Sequence, residues 1–175
     1  MTEFPIKALF MGMFAAVVLY SCHPANAEAF EDSVECMAQN MYFEARNQPF
    51  KGMLAVGQVT MNRVADSRYP NTVCEVVKQG PTSRWWLEKH NKVVPLKNKC
   101  QFSWYCDGKS DKISSKDAKL YSIIRALAVK LVSWSWKDIT YGSTHYHANY
   151  VLPEWASSKV QTITVGDHIF YRWEK

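Results

Sequence analysis

The sequence predicts an α+β domain, a helical N-terminal part followed by a small C-terminal antiparallel sheet. Three observations carry this. Apolar residues recur at helical spacing at Val34, Met37, Ala38, Met41 and Ala45. A nearly all-apolar stretch follows between Phe50 and Val64. Near the C-terminus, Gly166-Asp167 joins two β-prone runs in the manner of a two-residue hairpin. Helices first and strands last argue against a wound parallel sheet.

The elements follow in order. Residues 1–27 read as a targeting leader: Lys7, an apolar run of 13 residues from Ala8 to Tyr20, then Ala25-Asn26-Ala27 as a small-x-small cleavage site. The run is shorter than the roughly 20 residues of a spanning helix. Cleavage after Ala27 would leave 148 residues, 28–175, as one domain. Leu19-Tyr20-Ser21-Cys22 also resembles a lipoprotein signal with Cys22 acylated, and a retained leader is a third reading. Each delivers the domain across the inner membrane, so the expected location is the periplasm or cell envelope, with membrane contact only through the leader or Cys22.

Asp32 and Glu35 have the spacing of a capping box and place the first helix start there. Asn47-Gln48-Pro49 ends that helix, and a second, buried one runs from Pro49 or Phe50 to about Val64. Gly57 inside it costs helix propensity and implies close packing. Tyr69 to Thr72 is a turn that caps a short helix, Val73 to Val77. Residues 80–99 are basic, contain Trp85 and Trp86, lack periodicity and read as a long surface loop. Gln101 to Tyr105 reads as a short strand. Ser114 or Ser115 opens the longest helix, through Ala118, Tyr121, Ile124, Ala128, Leu131 and Trp134. Strands are expected at Thr144–His147, Val160–Val165 and Ile169–Arg172.

Cys36, Cys74, Cys100 and Cys106 remain after the leader, an even number that suits an oxidising compartment and up to two disulfides. Four cysteines allow three connectivities, and the sequence does not separate them. The net charge of +5 favours an anionic partner such as a cell envelope. No basic block has the pattern of a nucleic-acid footprint.

Glu44 is the first candidate for chemistry. It lies seven residues after Met37 and three after Met41, on their helix face, so its carboxyl sits at the end of an apolar stripe. Burial there would raise its pKa and suit a general acid. On pattern alone, a structural ion pair with Arg46 or Arg63 is the commoner explanation of such a position. His145 and His147, two apart on a strand, face the same way and could bind zinc with His168, Asp107 or Asp138 as a third ligand. Packing and hydrogen bonding are the commoner fate of such a pair. No serine elbow is present, and a cysteine nucleophile conflicts with the disulfide reading.

Several short motifs, in order along the chain, together resemble one family. They are Tyr42-Phe43-Glu44-Ala45-Arg46, Val56 to Val64, Tyr69 to Cys74, Cys100-Gln101-Phe102-Ser103, Thr144-His145-Tyr146-His147, Pro153 with Trp155, and Gly166 to Tyr171. They resemble the SleB-type cell wall hydrolases and cover nearly all of residues 28–175. The resemblance implies a lysozyme- or lytic-transglycosylase-like domain, with Glu44 as catalytic acid and no cofactor or metal. The family usually has Gly-Glu-Pro where this chain has Asn47-Gln48-Pro49, so no carboxylate acts at 48.

A glycosidase ordinarily needs two carboxylates. Asp107, Asp138, Glu154 and Asp167 all fall in expected loops or turns, so the lone Glu favours a lytic transglycosylase over a muramidase. Polarity and motif position give Gln101, Ser103, Thr144, His145, His147 and Asn149 the task of holding acetamido and hydroxyl groups. Tyr42, Trp104 and Trp155 are the expected ring platforms. The partner is then peptidoglycan glycan, bound by a monomer. A zinc amidase using His145 and His147, or a non-catalytic wall-binding module, are the alternatives.

Overall fold

In a computed structural model of the chain, residues 24–174 are described. The apolar run and Cys22 of the expected leader lie outside them. Five α-helices precede the sheet: α1 (Pro24–Ala45), α2 (Phe50–Val64), α3 (Val73–Val77), α4 (Arg84–His90) and α5 (Ala118–Val132). Three strands close the chain, β1 (His145–Ala148), β2 (Val160–Val165) and β3 (His168–Arg172), all antiparallel in the order β1-β3-β2. Among the described residues no helix is long and apolar enough to cross a membrane.

The stripe of α1 packs as its spacing requires. Val34, Met37, Ala38, Met41 and Ala45 are all buried. The helix nevertheless begins before Asp32, because Ala25-Asn26-Ala27-Glu28-Ala29 is itself helix-favouring and extends it backward. Asp32 and Glu35 are therefore mid-helix residues, not a capping box. Glu35 accepts hydrogen bonds from Gln39 (3.1 Å) and from the Tyr121 hydroxyl of α5 (2.6 Å).

Helix α2 is the centre of the domain, buried without a break from Gly52 to Met61. A Cβ on Gly57 would lie 2.5 Å from Leu131 Cδ1 and 3.0 Å from Met41 Sδ, so glycine is what lets α1 and α5 close on α2. Along one edge α2 is polar. Gln58 donates to the Lys137 carbonyl (2.8 Å) and accepts from the Ile139 amide (2.9 Å). Asn62 Nδ2 donates to the Ser143 carbonyl (2.9 Å), and Arg63 Nε donates to the Thr144 carbonyl (2.8 Å). These side chains hold residues 137–144 along the helix and deliver the chain to β1.

Three further expectations are corrected. Gln101 to Tyr105 is not a strand: Ser103–Cys106 forms a 3-10 turn. The disulfide Cys100–Cys106 is the reason, since its Cα atoms are 6.1 Å apart, where six extended steps would span roughly 20 Å. Residues 80–99 are not wholly loop: α4, capped by Ser83 and ended by Asn91 in the left-handed region, occupies the tip. It buries no residue, which is why no periodicity marks it. Helix α5 stops at Val132, short of Trp134, which is exposed at φ 53°, and with 15 residues it is not the longest helix, since α1 has 22.

The second disulfide, Cys36–Cys74, ties α1 to α3 and closes a loop that contributes about 3–4 kcal/mol through chain entropy. In the β2–β3 hairpin, Gly166 has φ 56°, and a Cβ there would strike Gln48 Oε1 at 2.3 Å. Gln48 accepts from the Asp167 amide (2.9 Å) and donates to the Asp167 carboxylate (3.1 Å). A glutamate at 48 would set two carboxylates against each other at that clasp.

Gly57→Val should cost about 1–3 kcal/mol through overpacking against Leu131 and Met41. Denaturant unfolding checks this, and an unchanged midpoint would show that α5 is free to yield.

Candidate active site

Glu44 occupies the last turn of α1, where the helix end meets the sheet. The strand β1 brings Tyr146 to it, and the Tyr146 hydroxyl donates to Glu44 Oε2 at 2.9 Å. Strand alternation fixes this choice. With Tyr146 paired to Phe170, the inner face of the sheet carries Tyr146, His168 and the fully buried Phe170. His145 and His147 stand on the opposite face, among Trp155, Tyr171 and Trp173.

Glu44 is half-buried on the wall of a cleft of about 810 Å3. Phe43 and Trp104 stack on one another there, with ring centroids 4.7 Å apart. Trp104 is held from behind, its indole Nε1 donating to Asn40 Oδ1 (2.9 Å), while Asn40 Nδ2 donates to Thr60 of α2 (3.2 Å). The 3-10 turn closed by Cys100–Cys106 supplies Ser103 and Trp104, and the segment after it supplies Asp107 and Asp111. Pro153 and Trp155 form part of the far side.

Burial pushes the Glu44 carboxyl above its ordinary pKa, and the hydrogen bond from Tyr146 and the charge of Arg63 act in the opposite direction without cancelling it. The reciprocal effect raises Tyr146 well above the usual tyrosine range, burial first and the Glu44 charge second. No ion pair of Glu44 with Arg46 or Arg63 forms within 4.0 Å among the described residues. Arg63 is itself buried, its guanidinium 5.4 Å from the Tyr69 ring centroid and 5.0 Å from that of Phe102.

The other expected site residues divide. Ser103, His147, Trp104 and Trp155 line the cleft with Glu44. Tyr42 does not: it is a core residue, 2% exposed, whose hydroxyl donates to Asp117 (2.5 Å). Its place one helical step from the Met41 stripe takes it toward α5, away from the cleft. Gln101 is exposed, with its amide on the Gln79 carbonyl (2.9 Å), and does not line the cleft. Thr144 is buried and bonds His145 Nδ1 (2.9 Å), bordering a separate cleft near Arg68 and Trp173. Asn149 is exposed just past β1, its amide on the Asp167 carbonyl (2.7 Å).

His145 and His147 share a face, but both ring nitrogens of His147 are engaged, Nδ1 with the Ala148 carbonyl (2.9 Å) and Nε2 with the Tyr171 hydroxyl (3.0 Å). Among the described residues no three His, Cys, Asp or Glu side chains stand together as a metal-binding set.

The sequence reading had singled out neither Tyr146 nor Asp111. Tyr146 was legible in principle, because once His145 and His147 are given one face, the residue between them must take the other. Of the four carboxylates considered as partners, Asp107 reaches the cleft; its carboxylate accepts from the Lys109 amide (2.8 Å) and pairs with Lys109 Nζ (3.5 Å). Asp138 instead accepts from the amides of Thr140 (2.7 Å) and Gly142 (2.6 Å), as a loop tie.

The sequence model of the family described as Cell Wall Hydrolase matches residues 47–171, starting three residues after Glu44. The spore cortex-lytic enzyme of Bacillus cereus is 38% identical over 47 residues, 27% of this chain and 18% of that one. That of Oceanobacillus iheyensis is 31% identical over 68 residues, 35% of this chain and 25% of that one. The match thus spans a quarter or less of these curated relatives. Two solved structures share the fold, each with a TM-score of 0.52 over 81% of this chain. One is the catalytic domain of the Bacillus cereus SleB protein, 20% identical and 91% covered. The other is the catalytic domain of the germination-specific lytic transglycosylase SleB from Bacillus anthracis, 21% identical and 95% covered.

Burial, then the charges of Arg63, Lys159 and Arg68, lower the His145 pKa from 6.5 to about 4. The folded state therefore binds this proton less readily than the unfolded chain. Its contribution to stability is complete above about 6.5 and is lost as the pH falls toward about 4. An NMR titration of the His145 ring should find its midpoint near 4, and a midpoint near 6.5 would contradict the packing described.

Proposed function

The chain belongs to the cell wall hydrolase family, and on that premise we propose that it cleaves the glycosidic bond between N-acetylmuramic acid and N-acetylglucosamine in peptidoglycan, as a lytic transglycosylase whose acid and base are both Glu44. The observation that carries this reading is the Glu44 carboxyl: half-buried in the main cleft, held by Tyr146, and pushed toward its protonated form.

Protonated Glu44 gives its proton to the bridging oxygen as the bond from the muramic acid C1 breaks. The C6 hydroxyl of the same sugar then attacks C1 and returns its proton to the Glu44 carboxylate. A 1,6-anhydro ring forms, the new chain end leaves as an alcohol, and the enzyme is restored. Because the nucleophile belongs to the substrate, proximity replaces a positioned water. Tyr146 fixes the carboxyl and, by donating to it, keeps its pKa low enough for the proton to leave. Ser103, His147 and Trp155 are the expected substrate contacts, with the stacked Phe43–Trp104 pair as an apolar floor. β1 is an edge strand, and edge peptide groups are natural partners for acetamido groups.

Two further carboxylates in the cleft, Asp107 and Asp111, favour a second reading, hydrolysis through an activated water. Asp107 is already paired with Lys109 and Asp111 is exposed, so the single-carboxyl route is preferred. The name of the Bacillus anthracis neighbour agrees with it. Export through residues 1–27 as a leader belongs to the same reading, and two disulfides suit an oxidising compartment.

Glu44→Gln should lower release of soluble fragments from sacculi by about 10²–10⁴-fold while the fold and wall binding persist. Mass spectrometry of the wild-type products should find 1,6-anhydromuramic ends; reducing ends alone would establish hydrolysis instead. Tyr146→Phe removes the bond that favours the Glu44 carboxylate, so the Glu44 pKa rises. The pH at which activity falls on the alkaline side should then move upward, and an unmoved profile would separate that limb from Glu44.

A further inference from the structure

The segment between Gly80 and Lys99 takes no part in the cleft, buries no residue of its helix, and has no role in the chemistry above. It is nonetheless ordered. Leu96 donates to the Pro81 carbonyl (2.9 Å) and Ser83 to the Val94 carbonyl (2.8 Å), which closes its two arms on each other. Gln101 and Asn98 then fix its base, to the Gln79 carbonyl (2.9 Å) and the Cys106 carbonyl (2.9 Å). Helix α4 stands at the tip, with its C-terminal amides at Asn91 and Lys92 returned to Leu87 (3.0 Å) and Trp86 (3.2 Å).

What this arm displays is unusual for a solvated face. Trp85 is 56% exposed and Val93 74%, and Trp86, Leu87 and Leu96 are exposed with them. The ring contacts of Trp85 and Trp86 are with each other and with His90. Around them stand Arg84, Lys89, Lys92, Lys97 and Lys99 against the single acid Glu88, a net +4 in a chain whose whole charge is +5. Almost the entire charge excess therefore lies on a segment that exposes five large hydrophobic side chains.

We propose that this arm is a docking surface for an anionic lipid bilayer, with Trp85, Trp86 and Leu87 entering the headgroup boundary and the surrounding lysines meeting lipid phosphates. Tryptophan and aliphatic side chains beside Lys and Arg are the composition of interfacial segments. Long basic side chains can keep their charge at the phosphates while their stems cover apolar surface. The backbone of the tip is bonded within the arm, as a boundary of low polarity requires. A glycan strand would use the ring faces but leaves Leu87, Val93 and Leu96 without an apolar partner. Through the bonds to Gln79 and Cys106, a docked arm would also orient the turn that carries Ser103 and Trp104, and so the cleft. This surface does not depend on how Glu44 works.

The full chain is tested by flotation with vesicles of phosphatidylcholine alone or with phosphatidylglycerol, at low and high salt. Every protein carries residues 1–27, so differences report the arm. Lys89→Glu/Lys92→Glu should bind the anionic vesicles roughly tenfold or more weakly than wild type, since each basic residue near such a surface adds several-fold. Acyl-chain-brominated lipid should quench wild-type tryptophan fluorescence, and Trp85→Ser/Trp86→Ser should lose that quenching. Both variants should keep their melting temperature and their digestion of sacculi. Equal flotation of variants and wild type, or no difference in quenching, overturns the proposal. So does loss of sacculus binding in the variants without loss of vesicle binding, which would make the arm a glycan surface.

Discussion

A buried cation fixes the geometry on which the rest of this domain depends. Arg63 is the one charged side chain buried in α2, and a guanidinium there is costly unless its donors and charge are met. The fold meets them in part, leaving Nη1 buried without a hydrogen-bond partner among the described residues. Nε reaches the Thr144 carbonyl at 2.8 Å, and the Tyr69 and Phe102 rings cover the charge. The first contact pins the residue immediately before β1. With the strand start fixed, alternation leaves no freedom about which side chain faces α1, and Tyr146 lands on Glu44. One helix thus positions both halves of the pair, Glu44 through the packing of α1 on α2 and Tyr146 through Arg63.

The same arrangement sets the electrostatics. Three influences act on Glu44, and they do not agree in sign: burial favours the neutral acid, while Tyr146 and Arg63 favour the carboxylate. Burial is the largest, so the net displacement is upward. Had Arg63 moved into an ion pair with Glu44, the order would reverse and the carboxyl would be a permanent anion, useful for structure and useless as an acid. Nε is bonded to the Thr144 carbonyl and the rings lie over the guanidinium, which acts on Glu44 from a distance.

Much of this was readable from residues alone, and the failures have definite causes. The α1 stripe was legible because it buries one periodic face, α2 because its run is apolar on nearly every side, and the strands because their β-prone runs are bounded by turns. The hairpin was legible because Gly166 adopts a φ that other residues rarely take. The strand expected at Gln101 to Tyr105 failed because β-prone residues were overruled by a six-residue disulfide loop, and connectivity was not available from spacing. Helix α4 was invisible because a helix that buries nothing leaves no pattern. At the site, Glu44 was found from its place on the stripe, yet Tyr42, two positions earlier, was assigned to substrate and belongs to the core. Neighbouring helix residues point about 100° apart, and a linear motif hides that separation.

The departures from the family pattern are informative for the same reason. Gln48 stands where the family usually has an acid, and its amide both donates to and accepts from Asp167. A carboxylate at 48 could accept from the Asp167 amide but would face the Asp167 side chain with like charge. The neutral residue therefore matches this hairpin, and it does so on the turn that immediately follows Glu44. Acids that do reach the cleft, Asp107 and Asp111, come instead from the segment behind the Cys100–Cys106 loop, the stretch to which the exposed arm is tied. A carboxyl anchored by a helix end and a strand keeps its geometry; one carried on a turn shares the motion of whatever moves the turn. Glu44 is of the first kind and the two aspartates of the second, and the proposed acid, which must take a proton back from the sugar it has just cleaved, needs the first.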